Sequence, residues 1–229
     1  MKVALLLRAA GSGSRFGGEV PKQYVEVLGK PLLLYTLEHL AAESRIAVVQ
    51  PVVSAGDCNF GMLVKDQHYP FELLKPVAGG AERSISMQKG LQALPEDIEL
   101  VAVHDAARPL PSPVLLADVL DVAMQHGAAV PGVPVTDTVK RVNKDGKVIE
   151  TPDRALLRAV QTPQVARREL FEQALKKEVD RLHMHTDDAS LLEAAGYDVY
   201  ISQGDVNNRK ITTPEDLLWL TSVLQARRG

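Results

Sequence analysis

The chain has 229 residues, 45% of them hydrophobic and 24% charged, with a formal net charge of −3. That balance is globular and long enough to bury a sizeable core. It excludes a disordered chain and a generally basic nucleic-acid-binding surface, so any anion site must be a local cluster.

Residues 3–7 are apolar at consecutive positions, as expected of a strand covered on both faces of a parallel sheet. The run is too short for a signal-peptide core or a membrane span, and Cys58, the single cysteine, fits a reducing cytoplasm. After the strand comes Ala9-Ala10-Gly11-Ser12-Gly13. Gly11 and Gly13 lack a Cβ, so successive N–H groups can approach an anion, and Arg15 and Lys22 add charge suited to a nucleoside triphosphate. The Walker A pattern occurs nowhere, and Phe16 stands where a dinucleotide fingerprint needs a third glycine. A flexible surface loop with scattered charges is the alternative that this stretch alone leaves open.

Pro31 opens a predicted helix with Leu33, Leu34, Leu37 and Leu40 at helical spacing, and a strand follows over 46–53. A short helix over 60–67, a brief strand over 71–74, a helix from about 82 to 94 and a buried strand over 100–103 come next, the last ending in His104-Asp105. Alternating strands and helices imply right-handed βαβ units, an α/β fold with a Rossmann-like, mostly parallel sheet flanked by helices. Ligands then gather at the carboxyl ends of the strands, so 8–15 and 104–108 should share one crevice. A helix near 113–126 and a strand near 128–133 complete the core.

The pattern then changes to two β-prone runs, 135–142 and 147–151, joined by Asn143-Lys144-Asp145-Gly146, a strong hairpin signal. Such a hairpin is a β-arm inserted at about 135–155 in a single domain spanning 1–229, and it wants a partner because an isolated two-stranded ribbon is marginal in water. Packing on its own domain is the alternative. Helices over 168–177 and 187–195 follow, then a strand over 199–202 and a final helix started by Thr213-Pro214-Glu215-Asp216.

Four clusters can carry chemistry. The first is the opening loop. The second is Gly80-Ala81-Glu82-Arg83 with Ser86, a glycine turn entering a helix whose free N–H groups suit a polar ligand, though an ordinary helix start has the same look. In the third, His104-Asp105-Ala106-Ala107-Arg108-Pro109, the aspartate could hold a metal and the arginine an anion, or the two could be a strand-end ion pair. The fourth is Asn208-Arg209-Lys210. His183, His185, Asp187 and Asp188 have metal-like composition, but their polar, turn-like setting reads as a solvated loop with a helix cap.

Taken in order, A-A-G-x-G-x-R, P-K-Q-Y, G-G-x-x-R-x-x-S, H-D-A-A-R-P, D-T-V-K, T-P-Q, T-D-D-A-S and N-x-K-I-T-x-P-E-D-L resemble the 2-C-methyl-D-erythritol 4-phosphate cytidylyltransferases of the non-mevalonate isoprenoid pathway, over nearly the whole chain. The resemblance implies magnesium-dependent cytidylyl transfer from CTP to methylerythritol phosphate with release of pyrophosphate. It puts Ala9, Ala10, Gly11, Gly13, Gly80, Arg83 and Ser86 on the nucleotide, Arg15, Lys22 and Lys210 in catalysis, and Asp105 by the ribose and the magnesium-bound phosphates. Arg108, Thr138 and Lys210 match residues that meet the methylerythritol phosphate. The arm is then a dimerisation arm that brings Arg154 and Thr162 to the neighbour's substrate in a cytoplasmic homodimer, with neither nucleic acid nor membrane as partner. Ribitol 5-phosphate as the alcohol, or a non-catalytic CTP-binding relative, are the alternatives. Arg8 departs from the usual proline or other uncharged residue, and a charge there must reach solvent or find an anion.

Overall fold

The computed structural model describes residues 1–11, 20–80 and 82–227. In chain order the first half forms β1 (Val3–Ala9), β2 (Glu26–Val27), β3 (Lys30–Pro31), α1 (Leu32–Leu40), β4 (Ile46–Val53), α2 (Asn59–Val64), β5 (Glu72–Leu73), β6 (Val77–Ala78), α3 (Arg83–Gln92) and β7 (Leu100–Asp105). The second half forms α4 (Pro113–His126), β8 (Ala128–Pro134), β9 (Arg141–Val142), β10 (Val148–Glu150), β11 (Arg158–Val160), β12 (Gln164–Arg167), α5 (Arg168–Lys177), α6 (Asp188–Ala194), β13 (Tyr200–Gln203) and α7 (Pro214–Ala226).

Nine of the described strands make one sheet in the order β11-β8-β12-β7-β1-β4-β5, with β13 also on β8 and β6 also on β4. β1 runs parallel to β4 and β7, in a register that sets Arg8 between Val52 and Asp105. β5 and β6 are parallel to β4, and β13 is parallel to β8. The sheet is therefore mostly parallel, as the alternation of elements implies. Two strands that the sequence reading lacked, β11 and β12, run antiparallel, with β12 between β7 and β8.

Alternate residues of β1 feed two cores. Val3, Leu5, Leu7 and Ala9 pack with Leu33, Leu37 and Leu40 of α1 and with Leu116, Val119 and Leu120 of α4. Ala4 and Leu6 face the other way, onto Met87 and Leu91 of α3, Phe171 of α5 and Leu191 of α6. Each fully buried leucine contributes roughly 1.5–3 kcal/mol, so Leu5, Leu6 and Leu7 together fix β1 at the centre of the sheet. A third cluster, Val27, Leu32 and Tyr35 with Ile211, Leu220 and Leu224, fastens α7 to the sheet's carboxyl edge.

Helix ends follow their local chemistry. Ser112 caps α4 by accepting from Leu115 N, and Thr213 with Asp216 forms a capping box ahead of Pro214 on α7. Pro31 lies one residue before α1 and not inside it, because it still pairs with Glu26 in the β2–β3 hairpin. β1 runs two residues further than expected, which draws Arg8 into the ladder.

The expected hairpin is present with shorter strands. β9 and β10 form a separate two-stranded sheet, and the turn between them has Gly146 at φ 82° and Asn143 Oδ1 accepting from the N–H groups of Asp145 and Lys147. Residues 136–151 are all exposed.

Candidate active site

Three chain segments meet at the carboxyl edge of the sheet. The first leaves β1 at Ala9. Gln23 Nε2 donates to Ala9 O at 2.6 Å and Ser54 Oγ donates to Ala10 O at 3.2 Å, so the start of the loop is tied both to β4 and to the 3-10 turn Lys22–Tyr24. That turn carries Lys22 to the cleft.

The second segment enters α3. Ser86 Oγ accepts from Gly80 N at 3.0 Å and donates to Glu82 O at 3.1 Å. A Cβ on Gly80 would lie 2.3 Å from Ile85 Cγ2, and one on Gly79 would lie 2.8 Å from Ser86 Oγ. The turn is therefore too tight for any side chain, and backbone alone faces the cleft there.

The third segment is the end of β7. Asp105 N donates to Thr162 Oγ1 at 3.2 Å, and the same hydroxyl lies 3.1 Å from His104 Nδ1. His104 Nε2 lies 3.1 Å from Arg108 O, which can only accept, so Nε2 carries the proton and Nδ1 accepts from Thr162. Burial pushes the His104 imidazole down to about 4, so it stays neutral and keeps this tautomer at pH 7. The chain of bonds holds the 104–108 turn rigid and aims the Asp105 side chain into the cleft.

Around that carboxylate sit four cations. Lys210 Nζ donates to Oδ2 at 2.7 Å, with Arg108 Nε 3.9 Å from the same oxygen; Arg8 Nη2 lies 3.3 Å and Arg83 Nη1 3.6 Å from Oδ1. Burial pushes Asp105 up, but Arg8, Lys210 and Arg83 outweigh it and hold the group well below the usual carboxylate range. Asp188, at the start of α6, is the second acid of the cluster. Arg83 donates Nε to its Oδ1 at 3.3 Å and Nη2 to Oδ2, while Arg8 Nη1 is 3.4 Å from both oxygens. Burial would strip charge from Arg83, yet Asp188 and Asp105 raise its affinity for the proton.

A cleft of about 240 Å³ lies between these segments, walled by Ala9–Gly11, Lys22, Gly80, Arg83, Ser86, Asp105 and Lys210. The structure thus brings together the expected residues from 105 positions of separation, Asp105 with Lys210. Arg108 is beside the cleft, half-buried next to Asp105, with Nη1 donating to Asn208 O at 2.8 Å. Thr138 and Arg154 are exposed and do not line their own chain's cleft; Arg154 Nη1 donates to Thr136 O at 2.6 Å. Gly13 and Arg15 lie outside the described residues.

Thr162 is a correction. Its side chain is in its own chain's core, 3% exposed, with the hydroxyl committed to Asp105 N and His104 Nδ1, so it does not present itself to a neighbouring subunit. Asp188 is another: it is 2% exposed and ion-paired, not part of a solvated loop. Asp187 does cap α6, accepting from Ser190 N, and Gln164 of the T-P-Q segment grips both Asp187 Oδ2 and Ala189 N. Among the described residues no group of three or more His, Cys, Asp or Glu is placed to hold a metal. Residue reasoning missed the roles of Gln23, His104 and Asp188. The one signal was Arg8 itself, a charge inside a buried strand that had to find an anion.

The cleft lining carries two carboxylates, Asp105 and Glu82, and Asp105 among them fits a hard cation that takes its other ligands from phosphate and water, as magnesium does. A sheet of this topology with a glycine-walled, cation-ringed cleft at its carboxyl edge has the layout of a nucleotidyltransferase. The family model described as IspD, 2-C-methyl-D-erythritol 4-phosphate cytidylyltransferase, matches residues 3–226. The chain is 42% identical to the 2-C-methyl-D-erythritol 4-phosphate cytidylyltransferase of Alkaliphilus metalliredigens, covering 99% of this chain and 95% of that one. It is also 42% identical to the enzyme of that name from Pelotomaculum thermopropionicum, covering 100% and 96%. The crystal structure of 4-diphosphocytidyl-2C-methyl-D-erythritol synthase from Anaerococcus prevotii superposes with a TM-score of 0.86 at 28% identity, over 98% of each chain. This chain belongs to the 2-C-methyl-D-erythritol 4-phosphate cytidylyltransferase family.

Proposed function

We propose that the chain transfers a cytidylyl group from CTP to 2-C-methyl-D-erythritol 4-phosphate and releases pyrophosphate. The observation that carries this reading is the cleft at the end of β1 and β7, where a side-chain-free glycine turn adjoins a surplus of positive charge. Ala9, Ala10, Gly11, Gly80 and Ser86 hold the cytidine. Lys22 bears on the triphosphate together with Arg15, and Lys210 lies across the cleft beside Asp105.

In the reaction a phosphate oxygen of the alcohol phosphate attacks the α-phosphorus of CTP. One P–O bond forms, the bond to the β-phosphate breaks, and pyrophosphate leaves with the electron pair. A phosphate monoester is largely dianionic at neutral pH, its second pKa being about 6, so no side chain has to remove a proton. The barrier lies in bringing two polyanions together and in the charge that builds at the α-phosphorus, which fixed cations stabilise without reorganising. Asp105 would be the side chain that holds a magnesium ion, which would supply further neutralisation of that charge. Arg108 stands on the Asp105 side of the cleft for the incoming alcohol phosphate. Thr138 and Arg154 serve a neighbour's cleft in a homodimer built through the arm. That assembly is supported by exposed Val142, Val148, Ile149 and Leu156 along 139–156. A cytoplasmic setting is supported by the lone cysteine.

Coupled pyrophosphate-release assays with CTP, magnesium and either methylerythritol phosphate or ribitol 5-phosphate test the reading. Turnover with the first alcohol is expected. Turnover with ribitol 5-phosphate alone would transfer the assignment to that alcohol, and CTP binding without pyrophosphate would make the protein a binding relative. Lys22→Ala should keep the fold and lose about 3 kcal/mol of transition-state stabilisation, roughly a hundredfold in rate, by analogy with removal of one oxyanion donor.

A further inference from the structure

Arg8 lies in the cleft lining with its side chain 15% exposed. Its position on β1 is on the same side as Ala4 and Leu6, which directs it under the start of both α3 and α6. All of its ionic contacts are long. Nη1 is 3.4 Å from each Asp188 oxygen and Nη2 is 3.3 Å from Asp105 Oδ1, where a charge-assisted bond of this type settles at about 2.7–2.9 Å. Arg83 makes the closer contact with Asp188, so that acid keeps a partner if Arg8 turns away. Cations still outnumber acids in the cluster: Arg8, Arg83, Arg108 and Lys210 stand against Asp105 and Asp188, with Asp187 also acting on Arg8 and Arg83.

From this geometry we propose that Arg8 is a triphosphate-recognition residue, which turns its guanidinium from Asp188 and Asp105 to a phosphate oxygen when the nucleotide enters. The inference rests on the nucleotide reading of this cleft. Guanidinium cannot shed its proton at working pH, so the charge is always present, and burial with loosely held carboxylates leaves it favourably placed for a better acceptor. The planar fork can bridge two phosphate oxygens, which a lysine cannot.

The test is calorimetric titration of the protein with CTP, CMP, cytidine, ATP and adenosine, for the wild type, Arg8→Met and Arg8→Lys, with thermal melts of each. Arg8→Met should weaken CTP about tenfold or more, CMP by less, and leave cytidine within twofold. Arg8→Lys should recover part of the CTP loss. Unchanged CTP affinity in Arg8→Met overturns the proposal, and so does an equal loss for CTP and cytidine, which would mean that Arg8 only shapes the pocket. Should Arg8→Met fail to fold, Arg8→Lys decides in the same way, a loss confined to CTP supporting the proposal and no loss or an equal loss overturning it. If the wild type prefers ATP to CTP, the cytidylyl reading fails, and the same comparison made with ATP and adenosine still decides the role of Arg8.

Discussion

Asp105 keeps its negative charge through its neighbours. Arg8, Arg83, Arg108 and Lys210 all pair with Asp105, so replacing it by asparagine removes the carboxylate that Lys210 bonds and the one shared by all four. Breaking a buried pair from one side costs about 3–5 kcal/mol, and the partial exposure of Lys210 puts Asp105→Asn at the lower end, a fall in Tm of roughly 6–12 °C. A carboxyl group whose folded pKa is depressed contributes stability above its unfolded value of about 3.9 and loses it as pH falls below that. The Tm gap between wild type and Asp105→Asn should therefore be full at pH 7 and narrow below about pH 4, and melts across that range check it. Behind Asp105, Thr162→Val keeps the shape but leaves Asp105 N and His104 Nδ1 unpaired, a loss of about 1–3 kcal/mol. Thermal melts and steady-state kinetics together judge this: the variant should melt lower and turn over more slowly. An unchanged Tm with a raised KM for the alcohol phosphate alone would return Thr162 to substrate contact.

α6 shows how an element delivers a charge. Asp187 closes its capping box with Ser190 and is gripped by Gln164 of β12, and together these set Asp188 under Arg8 and Arg83. Asp187→Ala should cost about 1 kcal/mol for the cap, and slightly more for the lost Gln164 bond. It should also reduce CTP affinity by letting Asp188 drift, which a denaturant titration beside a CTP titration would register as paired losses. The cap was legible because Asp ahead of an apolar run is local chemistry. The burial of Asp188 was not, because its neighbours in sequence are polar and its partner Arg8 is 180 positions away. β4, α4 and α5 were legible to the residue, since apolar runs and end signals coincide there. β11 and β12 were not: three and four residues carry no period, and their strand character comes from register with β8 and β7. Lys210 and Asp105 meet through tertiary packing alone, so only the family resemblance joined them beforehand.

At the scale of the whole molecule, the unsolved need is a cover for the hairpin. A two-stranded ribbon is marginal in water, and β9 and β10 leave Val142, Val148 and Ile149 exposed, with Leu156 beyond them 83% exposed. A second copy can cover them, and the same contact would carry Thr138 and Arg154, which do not line their own chain's cleft, to the partner's. If each cleft takes Lys22 from one chain and Arg154 from the other, the two variants Lys22→Ala and Arg154→Ala are each inactive alone but complementary when mixed. In a mixed dimer one cleft carries both changes, and the other has native Lys22 facing native Arg154. Random reassortment makes half the dimers mixed, each with one sound cleft, so a refolded equimolar mixture should recover about a quarter of wild-type turnover. Activity no greater than the mean of the two parents would show that each chain builds its cleft alone. Light scattering on wild type and Leu156→Asp gives an independent reading: if a second copy covers this apolar position, the wild type is a dimer and a charge there should leave a monomer with reduced turnover.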